Sequence, residues 1–171
     1  MIRILVFLGN PGKEYENTLH NAGYMLADRL YPNAVWQNKF HSLFSSNDGM
    51  KLMKPLTYMN LSGTAVSEAA SFFRIKPEEI MVIHDDIELG KGKAKMQLGG
   101  GLGGHKGLRS IKERLGTDRF WRLRIGVGRP ERGDVRLYVT HRLREDERAD
   151  LMIALDKAEI LIRTPEKEQE L

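Results

Sequence analysis

The chain opens on Ile2-Arg3-Ile4-Leu5-Val6-Phe7-Leu8, an almost unbroken apolar run that stops at Gly9-Asn10-Pro11-Gly12. Such a run, without alternation and followed by a turn, predicts a strand buried on both faces. From about His20 the apolar residues fall at helical spacing, with Ala22, Met25, Leu26 and Leu30 on one face. Residues 40–46 and 50–54 read as two strands joined by Asn47-Asp48-Gly49. A helix over about 61–74 follows, its buried stripe Ala65, Ala69, Phe72 and Phe73, limited by Pro77. Ile80-Met81-Val82-Ile83 predicts a second buried strand, ending at His84-Asp85-Asp86. Residues 105–115 pattern as a helix closed by Gly116. Trp121, Leu123, Ile125 and Val127 alternate with Arg122 and Arg124, which predicts a half-exposed strand, and Val135, Leu137 and Val139 repeat that pattern. A long helix over 145–162 ends the series, with Leu151, Leu155, Ala158 and Ile162 in register. Strands interleaved with helices predict an α/β fold: a single three-layer domain, 1–171, with a mixed twisted sheet between helices.

Composition narrows the chemistry. With no cysteine in 171 residues, disulfides, thiolate metal sites and a cysteine nucleophile are excluded. The chain starts without a basic, cleavable leader, and no apolar stretch approaches the roughly 18 residues of a membrane span. A cytoplasmic protein with no membrane contact is the expectation. The net charge of +4 is modest, but its distribution is not. Between Lys91 and Arg124 ten Lys and Arg face two acids, whereas from Glu145 onward nine acids outnumber four bases. Inside the basic stretch lies Leu98-Gly99-Gly100-Gly101-Leu102-Gly103-Gly104-His105-Lys106-Gly107. A glycine-rich, amide-exposing loop in a cationic surface points to a phosphate-bearing partner.

Three polar clusters stand where buried strands end: Asn10, the Asp85-Asp86 pair, and the glycine loop. Sites in open α/β sheets gather at such ends. His20 follows Asn10 by a short loop, and a histidine held by a carboxylate makes a general base near neutral pH. Any of five histidines can partner either aspartate at this level. Simpler readings also stand: His20 as a helix cap, Asp85 as a turn acceptor, Asn60 as an N-cap, the basic stretch as a solvated face. The chain has no Gly-x-Ser-x-Gly elbow, no P-loop ending and no second acidic cluster with metal-ligand spacing. What survives is histidine-assisted attack of water on a phosphate-bearing substrate, or plain RNA binding.

Several long motifs in order resemble the bacterial peptidyl-tRNA hydrolase family. They are Leu8-Gly9-Asn10-Pro11-Gly12 with Tyr15 and His20-Asn21-Ala22-Gly23, then Lys54-Pro55-Leu56-Thr57-Tyr58-Met59-Asn60-Leu61-Ser62-Gly63, then His84-Asp85-Asp86. Gly103-Gly104-His105-Lys106-Gly107-Leu108-Arg109-Ser110-Ile111 and Arg124-Ile125-Gly126-Val127-Gly128-Arg129-Pro130 complete the set. The resemblance implies hydrolysis of the ester between a peptide and the terminal ribose of tRNA, by a monomer needing no metal, cofactor or obligate protein partner. It implies His20 as the general base, Asp85 as its support, Asn10 as a substrate-positioning group, and Asn60 as a substrate contact and oxyanion donor. Tyr15, Tyr58 and Met59 would line the groove for peptide and terminal adenosine. The resemblance also leads us to expect the last helix, 145–163, to act as a lid and 164–171 to be a polar tail. The alternative is an RNA-binding module on the same fold, as in organellar splicing factors similar to this family.

The departures fall in the glycine segment. Lys106 stands where the family usually has a substrate-binding asparagine, and Leu102 where a histidine is common. Gln97 stands where a basic residue usually joins the counterpart of Arg124 to grip the 5′ phosphate region of tRNA. Lys106 as a phosphate or carbonyl contact, and Lys95 or Lys106 as the missing charge beside Arg124, are the expectations that follow.

Overall fold

A computed structural model describes residues 1–171. Its frame is one eight-stranded mixed sheet. The strands are β1 (Ile4–Phe7), β2 (Gln37–Lys39), β3 (Ser42–Asn47), β4 (Met50–Pro55), β5 (Ile80–Asp86), β6 (Ala94–Leu98), β7 (Trp121–Gly126) and β8 (Gln169–Glu170). They lie in the order β2-β3-β4-β1-β5-β7-β6-β8. The four central strands run parallel, and the pairs on either side are antiparallel.

Alternation along β1 divides the core. Leu5 and Phe7 face α1 (Ala22–Leu30) and α5 (Glu145–Ile162), meeting Leu26, Leu151, Leu155 and Ala158. Ile4, Val6 and Leu8 face α2 (Ser62–Phe73) and α3 (Lys106–Leu115), meeting Ala65, Ala69, Leu108 and Ile111. Burying both faces explains why β1 and β5 read as unbroken apolar runs. Each fully buried aliphatic or aromatic side chain contributes roughly 1.5–3 kcal/mol. No helix is long and apolar enough to cross a membrane.

Two glycines set how the helices seat. A Cβ at Gly23 would lie 2.4 Å from the carbonyl oxygen of Leu8 and 2.7 Å from that of Ile83. Glycine there lets α1 rest directly on the ends of β1 and β5. A Cβ at Gly63 would lie 2.1 Å from the carbonyl oxygen of Ser110, and the Gly63 amide donates to Ser110 Oγ at 2.8 Å. This close crossing brings the start of α2 against α3.

Several sequence expectations are corrected. The alternating segment at Val135, Leu137 and Val139 is a short helix, α4 (Val135–Thr140), whose N-cap Asp134 accepts from the Arg136 amide. Val139 is buried and Leu137 is 67% exposed, so the spacing that matters is i to i+4. Arg122 is fully buried: β7 is an interior strand, not a half-exposed one. Phe72 is exposed, and α2 buries Ala65, Val66, Ala69 and Ala70. Asn60 is not the N-cap of α2; it lies in the 3-10 turn Met59–Leu61 just before the helix. The last helix, α5, buries Leu151, Ala154, Leu155, Ala158 and Leu161 against the sheet. The polar tail contributes β8, which pairs with β6.

Candidate active site

Where β1 and β5 end, the chain leaves a cleft of about 450 Å³. Of the residues singled out in the sequence, Asn10, Tyr15, His20, Tyr58, Met59, Asn60, Asp85 and Lys106 line it, and so does Leu102. Arg124 and Lys95 do not. Missed from the sequence are a wall made by α4 through Val135, Arg136, Val139 and Thr140, and His105, which also lines the cleft.

His20 sits in the 3-10 turn Leu19–Asn21 that leads into α1, and Asp85 near the end of β5. The two meet at 2.8 Å and 2.9 Å, between His20 Nδ1 and the two carboxylate oxygens. The second histidine, His105, is the N-cap of α3, where its Nδ1 accepts from the amides of Gly107 and Leu108 at 3.1 Å and 3.3 Å. An accepting Nδ1 leaves the proton on Nε2, which donates to Asp85 Oδ1 at 2.9 Å. Asp85 thus accepts from two imidazoles while shut away from water. Burial alone would raise its pKa, but the two histidines hold the carboxyl far below the usual carboxylate range. For His20, burial opposes protonation, and the charge and hydrogen bond of Asp85 outweigh it, so its pKa stands above 6.5; the charge of Lys106 pulls the other way. With Nδ1–H committed to Asp85, Nε2 of His20 is the lone pair left for chemistry.

Asn10 is fixed on three sides. Asn21 accepts from its amide at 2.8 Å and donates Nδ2–H to its carbonyl at 3.0 Å. Its own Oδ1 accepts from the Met59 amide at 2.7 Å, an N–H that dictates the orientation of the side-chain amide. Its Nδ2 is therefore the end presented to the cleft. Met59 is buried beneath Gly107, supporting more than it lines. Tyr58 carries φ 61° and ψ 158°, a backbone region that is nearly glycine's alone and costs about 1–3 kcal/mol for other residues. The bond from Met59 to Asn10 pins the next residue and holds the strain in place. Tyr58 in turn meets Tyr15 edge to face, with ring centroids 6.4 Å apart.

Behind the cleft, a buried polar network organises the glycine loop. Arg122 donates from Nη1 to the carbonyls of Gly101 and Gly99 at 2.6 Å and 3.3 Å, from Nη2 to Asp86 at 3.4 Å, and from Nε to His84 Nε2 at 3.2 Å. His84 donates Nδ1–H to the Asp85 carbonyl, and burial with the neighbouring Arg122 charge pushes its pKa down to about 3. It is a neutral structural histidine. Arg124 donates to Asp86 at 2.7 Å and to Gln97 Oε1 at 2.8 Å, so much of its guanidinium is engaged within the protein. In the β6–β7 register Lys95 lies directly opposite Arg124, and Gln97 opposite Arg122. Lys95 and Arg124 thus share a face, beside the cleft and not within it.

His20, Asp85 and His105 are also the one His/Asp/Glu cluster compact enough to hold a metal ion, with ligand atoms within 4.8 Å of one another. Their bonding suits a carboxylate-held histidine base better. Both imidazole nitrogens that face Asp85 carry protons, and His105 could free its own only by giving up its cap on α3.

Comparisons with known proteins identify the family. The sequence model of the peptidyl-tRNA hydrolase family matches residues 4–169. Peptidyl-tRNA hydrolase of Thiobacillus denitrificans is 41% identical over 172 residues, covering 96% of this chain and 84% of that protein. The same enzyme of Geobacillus thermodenitrificans is 42% identical over 176 residues, covering 96% and 95%. The crystal structure of peptidyl-tRNA hydrolase from Acinetobacter baumannii superposes with a TM-score of 0.83 at 35% identity, covering 95% of this chain and 89% of that one.

Proposed function

The chain belongs to the peptidyl-tRNA hydrolase family, and we propose that it hydrolyses peptidyl-tRNA by histidine-assisted attack of water, without a metal. One observation carries the mechanism: His20 donates through Nδ1 to an ionised, doubly held Asp85 and keeps Nε2 open to the cleft. Nε2 takes a proton from water as its oxygen bonds to the ester carbonyl carbon. Asp85 stabilises the imidazolium, and the amides of Asn10 and Asn60 donate to the oxyanion. Collapse breaks the bond to the ribose oxygen, which takes the proton back from His20. The products are free tRNA and a peptide acid. Tyr15 and Tyr58 give the acyl group and adenosine an aromatic wall, over the support of Met59. Lys106 contacts substrate where relatives use asparagine. The cross-strand placement of Lys95 and Arg124 supports a joint grip on the 5′ phosphate region, with Gln97 holding Arg124 in position. Charge and fold are compatible with a monomeric cytoplasmic enzyme.

The test is release of tRNA from N-acetylated aminoacyl-tRNA by wild type and His20→Ala in the presence of a chelator. Wild type should be unaffected by the chelator, and the variant should lose at least about a hundredfold in kcat with an unchanged circular-dichroism spectrum. A near wild-type rate for His20→Ala would overturn the assignment, and loss of wild-type activity to the chelator would favour a metal bound by His20, Asp85 and His105. The non-catalytic RNA-binding alternative predicts binding without turnover.

A further inference from the structure

Arg136 is absorbed by none of the roles above. It lies in the first turn of α4, on the cleft wall facing the catalytic residues. Its guanidinium has no acidic partner and no hydrogen-bond acceptor, although its amide is held by Asp134. Lys106, in the first turn of α3 and lining the same cleft, also lacks an acidic partner. Neither helix carries an acid in its first turn. Neighbouring arginines differ: Arg122 and Arg124 are bound to Asp86, and Arg129 to Glu88. The acids lining the cleft, Asp85 and Asp86, are already matched, the first by His20 and His105 and the second by Arg122 and Arg124. Two cations therefore remain over in a cleft whose acids are satisfied, an arrangement complementary to an anion brought in by the ligand.

We propose that Arg136 and Lys106 form a phosphate-binding rim that holds the internucleotide phosphate on the 5′ side of the terminal adenosine, and so register the ester over His20. This rests on the hydrolase reading. Under it, that phosphate is the anion covalently nearest the reacting ribose. Arg136 offers the planar fork that matches a phosphate, and Lys106 a point charge. The field of Lys106 reaches His20, which places its ammonium close to the reaction centre. Both residues are specificity determinants for the nucleotide half of the substrate.

The experiment compares two minimal substrates that share one N-acetylated aminoacyl ester. One is the ester of adenosine, which has no phosphate, and the other is the ester of the trinucleotide CCA. Wild type should prefer the trinucleotide. Arg136→Gln should lose about tenfold in kcat/KM on the trinucleotide ester, mainly through KM, and much less on the adenosine ester, so the preference collapses. Arg136→Gln combined with Lys106→Gln should collapse it further. The slope of log affinity for tRNA against log salt should flatten by about 0.7 for each phosphate that the variant no longer neutralises. Arg163→Gln, an exposed charge removed outside the cleft, should alter neither preference nor slope. Equal losses on both esters, an unchanged salt slope, or a loss confined to esters with an acidic acyl group would overturn the phosphate rim, the last in favour of peptide recognition. Wild type that cleaves neither ester nor N-acetylated aminoacyl-tRNA would overturn the hydrolase reading itself.

Discussion

Asp85 is placed so that its charge can act in only one direction. Its oxygens are taken by His20 Nδ1 and His105 Nε2, and the residue is almost fully buried. The raised pKa of His20 depends on that charge, since burial alone would drive it the other way. A general base must be unprotonated, so kcat/KM should rise with pH through a value above 6.5. In Asp85→Asn the charge is gone and burial prevails. The acid limb should then move to lower pH while the plateau falls about 10²- to 10⁴-fold. A pH–rate profile checks both parts, and an unmoved acid limb would show that Asp85 does not set the His20 equilibrium. His20, Asp85 and Asn10 were legible in the sequence because each follows a buried strand or turn and belongs to a dense motif. His105 was not, because at the sequence level it is a helix start. Its hold on Asp85 exists only once α3 is seated over the end of β5. Arg122 was hidden for a related reason: alternation cannot distinguish a side chain facing solvent from one facing a buried aspartate and the carbonyls of a glycine loop.

At the scale of elements, the least legible piece is the one that walls the cleft. Val135, Leu137 and Val139 alternate as in a strand, and six residues are too few for the helical period to declare itself. What fixes α4 is its ends. Asp134 caps it, and at its far end His141 donates through Nε2 to Glu147 on α5 at 2.9 Å, with Nδ1 facing the Leu137 carbonyl at 3.3 Å. Both ring nitrogens face acceptors, which favours the imidazolium, and the bond to Glu147 raises the pKa of His141 above 6.5. Glu147 is buried, and its Oε2 has no partner, so its charge depends on His141 and the Arg144 amide. Arg144, Asp150 and Tyr138 are the other titratable groups around the pair. A raised histidine pKa contributes stability fully below its unfolded value and loses it as pH rises through the folded one. Protection of α4 amides, corrected for intrinsic exchange, should therefore fall in the wild type as pH rises from below 6.5 through the raised value. In His141→Gln it should be lower at the acid end and flat across that range. Equal pH dependence in both proteins would assign the effect to another group.

At the scale of the whole molecule, the sheet must end somewhere without inviting another chain to join it. On one side the edge is β2, three exposed polar residues including Lys39, a charged and short edge that resists pairing. On the other, β6 would stand open for its full length if the chain stopped after α5. The C-terminal segment prevents this. Lys95 pairs with Glu170 and Met96 with Gln169, and the amides of Ala94 and Leu171 donate to each other's carbonyls at 3.1 Å and 2.9 Å. Glu168 also accepts from the Leu98 amide at 3.2 Å. Nothing in the composition of 164–171 announces a strand, because the segment is polar and its pairing is set by an edge formed about seventy residues earlier. Removing 165–171 should cost about 2 kcal/mol, because the ladder bonds to β6 go with it, and lower Tm by about 4–8 °C. It should also let β6 edges pair between molecules. Size-exclusion chromatography across a concentration series should then show more self-association in the truncated protein than in the full chain. Because Lys95 sits on that same edge beside Arg124, the truncation should also weaken tRNA binding while leaving hydrolysis of a phosphate-free ester at His20 much less affected. Equal losses on both would place the tail's influence at the cleft instead of the sheet edge.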